Sequence, residues 1–177
     1  IRDKKIDQDY SKSKEFIELG ARILRFEFGP TKYLRKELLW PYLDDLIIQL
    51  VDFYKKPENL PTWIHAHYAD AGYVGVRLSQ ILKVPLIFTA HSLGREKKRR
   101  LLDAGLKESQ IEKTYFINKR IQSEEEVLKQ SSMVVTSTKQ ELLHQYSEYK
   151  CFDPCKAKVI SPGVDHQKFH HVHSTTE

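Results

Sequence analysis

Two segments of the chain, WIHAHYADAG and VPLIFTAHSLG, pass from apolar residues into His, Tyr or Ser and then a glycine. They belong to four strand-like apolar runs, Ala21–Phe28, Thr62–Tyr68, Val84–Ser92 and Met133–Thr138, each ending in polar residues that can face a ligand. In open α/β sheets, ligands bind in the crevice outside the carboxyl ends of the strands. Hydroxyl, imidazole and charged groups brought to one edge suit a polar, anionic ligand. Asp70 in HYADAG fits two roles, a base for a ligand hydroxyl or a first-turn acid favoured by the helix dipole. His91 fits a site or a structural hydrogen bond, and Ser137 and Thr138 are further strand-end candidates. His65 and His67, two residues apart on a strand, share one face, but no carboxylate or third His is close by to complete a set of ligands, so no metal is expected.

These groups need elements to hold them. GARILRFEFG alternates Ile23, Arg25 and Glu27 against Leu24, Phe26 and Phe28, the two-residue period of a strand. From Leu38 to Tyr54, the apolar residues Leu39, Leu43, Leu46, Ile47, Leu50, Val51 and Tyr54 recur at three- and four-residue steps, which predicts an amphipathic helix. KPENLP stops it. A helix from about Asp70 to Lys83 follows the second strand, and the nearly continuous apolar run Val84–Ser92 predicts a strand covered on both faces. Next come a basic helix to about Leu106, a long helix over Glu108–Gln130, a buried strand and a short helix over Thr138–Tyr146. Thr138 and Glu141 have capping-box spacing. KAKVISPGV is a last strand-like segment, and IRDKKIDQDYSKSKE reads as loop. HQKFHHVHSTTE, with His166, His170, His171 and His173, reads as a flexible tail. This alternation predicts an α/β fold, a Rossmann-like parallel sheet with helices on both faces and right-handed crossovers. A glycine-rich first βα turn is missing, and the chain ends just after a strand and a Pro-Gly, so a fragment is expected.

Composition bounds the function. The 177 residues are 40% hydrophobic and 30% charged, which argues for one folded domain and against disorder. No apolar run approaches the roughly 20 residues of a membrane span, and no signal peptide opens the chain. Cys151 and Cys155 form a C-x3-C without a second ligand pair, as expected of free thiols in a reducing, cytoplasmic setting. The net charge of +5 invites a nucleic-acid reading. Much of the basic charge sits in REKKRR (Arg95–Arg100) with no recognised nucleic-acid module, so a solvated helix face or a local anion site is expected instead.

Five blocks, WIHAHYADAGYVG, VPLIFTAHSLG, TYFINKRIQSEEEVL, VVTSTKQE and KVISPGVD, stand in one order along the chain. Together they resemble the sucrose-phosphate synthase family of retaining GT-B glycosyltransferases, close to its bacterial members, and FGPTKYLRKELLWPYLDD fits the same family. The resemblance runs from about residue 20 to 169. It implies most of an N-terminal, acceptor-binding GT-B domain over 1–164, with 165–177 starting an inter-domain linker or tail. The family's first strand with its Gly-Gly-Gln loop and its C-terminal donor domain are missing from this stretch.

The implied reaction is glucosyl transfer from UDP-glucose to fructose 6-phosphate with retained configuration, giving sucrose 6-phosphate and UDP. The implied partners are thus a sugar phosphate acceptor and a nucleotide sugar, with no cofactor and no predicted magnesium site. By the same resemblance, Lys36, Tyr68, Ser92, Lys97 and Arg120 hold the phosphosugar, His91 stands near the transferred glucose, and Asp70 orients acceptor hydroxyls. Ala90 departs from the glycine common in the family, which puts the backbone path at His91 in question. A sucrose synthase using free fructose, or a non-catalytic sugar-phosphate-binding domain, is the alternative.

Overall fold

The computed structural model describes residues 12–17, 20–165 and 168–169. Its centre is a parallel sheet of β3 (Ile64–His67), β4 (Leu86–Thr89), β5 (Met133–Thr136) and β6 (Ala157–Val159), hydrogen-bonded in that order. Each strand of the sheet reaches the next through at least one helix: α2 (Ala69–Leu82), then α3 (Gly94–Asp103), α4 (Glu108–Tyr115) and α5 (Ile117–Gln130), then α6 (Lys139–His144). The alternating architecture read from the sequence is therefore present. β4 is almost wholly buried, as its unbroken apolar run requires. On β3, Ala66 faces the core while His65 and His67 face outward.

Helix α2 lies close against the sheet and also packs on α1 (Leu43–Tyr54) and α5. Gly72 and Gly75 permit that approach. A methyl at Gly72 would lie 2.9 Å from both Phe88 and Val127, and one at Gly75 would lie 2.9 Å from Leu86. One core cluster joins Ala66, Val76, Leu86, Phe88, Val127 and Val134. A second joins Leu43 and Ile47 of α1 to Val74 and Leu78 of α2.

Three expectations are corrected. Ala21–Phe28 does not join the parallel sheet. Only β2 (Arg22–Leu24) is extended there, and it pairs antiparallel with β1 (Lys14–Phe16), a segment read as loop. The following aromatics are drawn onto α1 instead, with Phe26 edge-on to Phe53 at 5.8 Å and Phe28 packed on the Leu43 cluster. Second, the helix expected from Leu38 begins only at Leu43. Lys36–Leu38 and Trp40–Tyr42 form two tight 3-10 turns, the second with Pro41 in its opening positions. Third, Glu108–Gln130 is two helices. Phe116 adopts a left-handed backbone (φ 47°) and turns the chain between α4 and α5.

The capping box at α6 is half formed. Thr138 accepts the Glu141 N–H at 3.1 Å, but the Glu141 carboxylate reaches the N–H of Ser137 and the hydroxyl of Thr136. The tail histidines His166, His170, His171 and His173 lie outside the described residues. None of the described helices is long and apolar enough to cross a membrane. Cys151 and Cys155 are both free thiols.

A cationic cleft at the strand ends

Residues from separate parts of the chain meet beyond the carboxyl end of β3. Lys36 comes from the first 3-10 turn, Tyr68 and Asp70 from the β3–α2 junction, Lys97 from α3 and Arg120 from α5; all line one cleft, with Glu37 on its wall. The cleft is shallow and open to solvent.

Tyr68 is the hub. Its backbone has φ 78°, outside the regions favoured by residues with a side chain. Two hydrogen bonds hold that shape: its N–H donates to Thr89 O at 2.9 Å, and its carbonyl accepts from Gly72 at 2.8 Å. The phenol ring is thereby presented to three contacts. Lys36 Nζ donates to the Tyr68 hydroxyl at 2.8 Å and stands 4.6 Å from the ring centre. The Arg120 guanidinium stands over the same ring, also at 4.6 Å. Cation–π contacts of this kind add on the order of 1 kcal/mol each.

Arg120 is 5% exposed although charged. Its Nη2 donates to Ser92 O at 2.7 Å and Ser92 Oγ at 3.0 Å, and its Nε donates to Glu124 at 2.8 Å. Ser92 thus meets the site through Arg120 and does not line the cleft itself. Lys97 lies 4.0 Å above the Tyr115 ring and 3.6 Å from Glu37. Burial pushes its ammonium below the ordinary lysine value. Glu37 opposes that shift, and Lys36 and Arg120 add to it. A site that crowds cations and partly desolvates one of them favours an anion as its ligand.

His91 is brought near but does not line the cleft. It sits in a three-residue turn with φ 57°, in which Ser92 N–H returns to Ala90 O at 2.6 Å. The methyl of Ala90 is buried and its N–H donates to Tyr146 Oη at 3.2 Å, so the loop accommodates Ala90 through a left-handed residue next to it. The His91 ring stacks on His67 at 5.0 Å, with His67 Nδ1 and His91 Nε2 2.8 Å apart. The His65 ring lies tilted against His67 at 4.1 Å and meets Thr89 Oγ1 at 2.8 Å. Asp70 occupies the first turn of α2, accepts from Ala71 N–H at 2.9 Å and shows its carboxylate to the cleft.

The basic run resolves into one site residue and a set of ion pairs. Arg95 pairs with Glu125, Lys98 with Glu108, and Arg99 and Arg100 with Glu96. Lys119, beside Arg120 in sequence, turns away toward Tyr73. Sequence reasoning missed Glu37, Tyr115 and Trp40. Glu37 lies next to Lys36 in an apparently ordinary charged stretch, and its place beside Lys97 depends on tertiary folding.

A family model described as Glycosyltransferase Family 4 matches residues 11–168. Sucrose-phosphate synthase of Spinacia oleracea is 43% identical over 148 residues, covering 76% of this chain and 14% of that protein. Sucrose-phosphate synthase 1 of Arabidopsis thaliana is 43% identical over 159 residues, 82% of this chain and 15% of that protein. The solved sucrose-phosphate synthase from Thermosynechococcus elongatus superposes with a TM-score of 0.73 at 20% identity, covering 92% of this chain and 37% of that one. The chain thus spans less than a fifth of the length of these two plant relatives. A family match over nearly its whole length, on a parallel α/β sheet with a strand-end cleft, makes this chain a member of Glycosyltransferase Family 4.

Proposed function

We propose that this chain supplies the acceptor site of a retaining glucosyltransferase that moves glucose from UDP-glucose to fructose 6-phosphate, yielding sucrose 6-phosphate and UDP. The observation that carries this reading is the convergence of Lys36, Lys97 and Arg120 around Tyr68 in one cleft. A phosphate dianion is bound best by several charge-assisted donors. The two lysines and the fork of Arg120 supply them, and the Tyr68 hydroxyl, polarised by Lys36, adds another. Glu37 and Asp70, acceptors in the same cleft, suit the sugar hydroxyls and not the phosphate, which orients the ligand with its phosphate toward the cations.

In the transfer, the bond from the anomeric carbon to the UDP phosphate oxygen breaks, and a bond from that carbon to the acceptor hydroxyl oxygen forms on the same face. The hydroxyl proton passes to the departing phosphate. Asp70 holds acceptor hydroxyls in line for this step, and His91 borders the position of the glucose. Donor binding falls to a second domain of the protein. Sequence likeness to proteins named sucrose-phosphate synthase supports the same acceptor. Free fructose carries no phosphate for Lys36, Lys97 and Arg120 to hold, so the sucrose synthase reading is not favoured.

Calorimetric titration with fructose 6-phosphate, against fructose as control, tests the reading. Binding of the phosphate ester with much weaker binding of fructose is expected. Equal binding of both sugars would remove the phosphate from the account.

A further inference from the structure

The fully buried carboxylate of Glu124 lies behind the cleft and makes no contact with its open space. Its Oε1 accepts from Arg120 Nε at 2.8 Å and from Gly94 N–H at 3.1 Å. Its Oε2 accepts from the same Gly94 N–H at 2.8 Å and from the Tyr149 hydroxyl. An isolated buried carboxylate is costly, and a buried pair is tolerated only where the remaining lone pairs are satisfied. Here they are, by donors from α5, from the start of α3 and from the 3-10 turn near residue 149. Gly94 leaves no slack, because a methyl there would lie 2.8 Å from Glu124 Oε2 and 2.9 Å from Ile121.

We infer that Glu124 is a positioning residue that aims Arg120 into the anion cleft and ties it to the 91–94 loop, thereby setting the preference for a phosphorylated acceptor. The inference rests on the proposed function. Glu124 stands one helical turn beyond Arg120, so its hydrogen bond to Nε fixes the plane of the guanidinium. Nη2 is then committed to Ser92, while Nη1 makes no protein hydrogen bond among the described residues. One carboxylate thus sets both the direction of the free edge and the place of the loop that follows His91. Tyr149 keeps the carboxylate in register. Burial, and then the Glu124 charge, push its hydroxyl well above the ordinary tyrosine value, so it stays a donor.

Glu124→Gln in the complete polypeptide tests this, because an amide nitrogen replaces one acceptor and must face the Gly94 N–H together with either Arg120 Nε or the Tyr149 hydroxyl. The KM for fructose 6-phosphate should rise about tenfold or more, as loss of a charge-assisted bond implies, with the UDP-glucose KM within about twofold of wild type. Arg120→Lys keeps the charge and loses the fork. In a double-mutant cycle, Glu124→Gln combined with Arg120→Lys should cost no more than the larger single change, within about twofold. Additive losses, or equal rises in both KM values, would show a merely structural Glu124. Tyr149→Phe, a smaller lesion, should give a weaker rise with the same non-additivity, and its full additivity would count against the inference even if Glu124→Gln does not fold. Wild-type protein that fails to saturate with fructose 6-phosphate overturns the proposed function and the inference with it; saturation with an unmoved KM in the variants overturns the inference alone.

Discussion

Tyr68 and His91 both take left-handed backbones, at consecutive strand ends, and both border the cleft or its approach. Such residues cost roughly 1–3 kcal/mol each and persist only where the surroundings fix them. Here the Thr89, Gly72 and Ala90 hydrogen bonds do so. Lys97 should make ligand binding depend on pH. Its ammonium is held below 10.5 in the free site, and an arriving phosphate raises it again, so binding takes up a proton in that window. Affinity for fructose 6-phosphate should therefore fall as pH rises through it. Lys97→Arg, always charged, should flatten the fall; an equally steep fall in both proteins would place the titration elsewhere.

His65 provides the acid counterpart. Burial first, then the charges of His67 and His91, hold its imidazole below 6.5. The unfolded chain takes up that proton more readily than the folded one. The stabilisation from the neutral ring is thus complete above pH 6.5 and is lost as pH falls through the lower folded value. Thermal melts of His65→Asn should lose part of this acid limb, and an unchanged limb would exonerate His65.

At the scale of elements, the site depends on how closely α2 approaches the sheet, since α2 carries Asp70 and follows directly from Tyr68. Gly72→Ala would press a methyl into Phe88 and Val127. It should destabilise the fold by about 1–3 kcal/mol, as overpacking does, measured by urea unfolding; a neutral result would mean that α2 can shift without cost. Thr138→Ala removes the α6 cap and should cost about 1 kcal/mol. The strands β3, β4 and β5 were legible because each is a short apolar run closed by polar residues. The helix α1 was legible by its stripe, yet its start was misplaced because the apolar spacing continues through Pro41. The break at Phe116 left no trace, since no Gly or Pro marks it and an aromatic occupies the left-handed position. The strand-like alternation at 21–28 was real only over Arg22–Leu24, and beyond it packing against α1 prevailed over the two-residue period.

For the molecule as a whole, the positive net charge is spent locally. The basic helix α3 pairs most of its cations with Glu96, Glu108 and Glu125, and keeps Lys97 for the cleft. The motif blocks pointed to Lys36, Tyr68, Asp70, Lys97 and Arg120, and folding gathers them from 3-10 turn, strand end and two helices into one cleft. Glu37 escaped notice because a carboxylate beside Lys36 reads as a surface pair, and Glu124 because it opens an acidic run, Glu124–Glu126, that reads as a solvated helix face. Only the packed arrangement shows one lining the cleft and the other completely buried. On the proposed function, this cleft recognises the phosphate of the acceptor. The most direct measurement is the effect of Lys97→Ala on steady-state kinetics of the complete polypeptide. A rise of about tenfold or more in the KM for fructose 6-phosphate, with the KM for UDP-glucose nearly unchanged, is the predicted result. Equal changes in both KM values would contradict it.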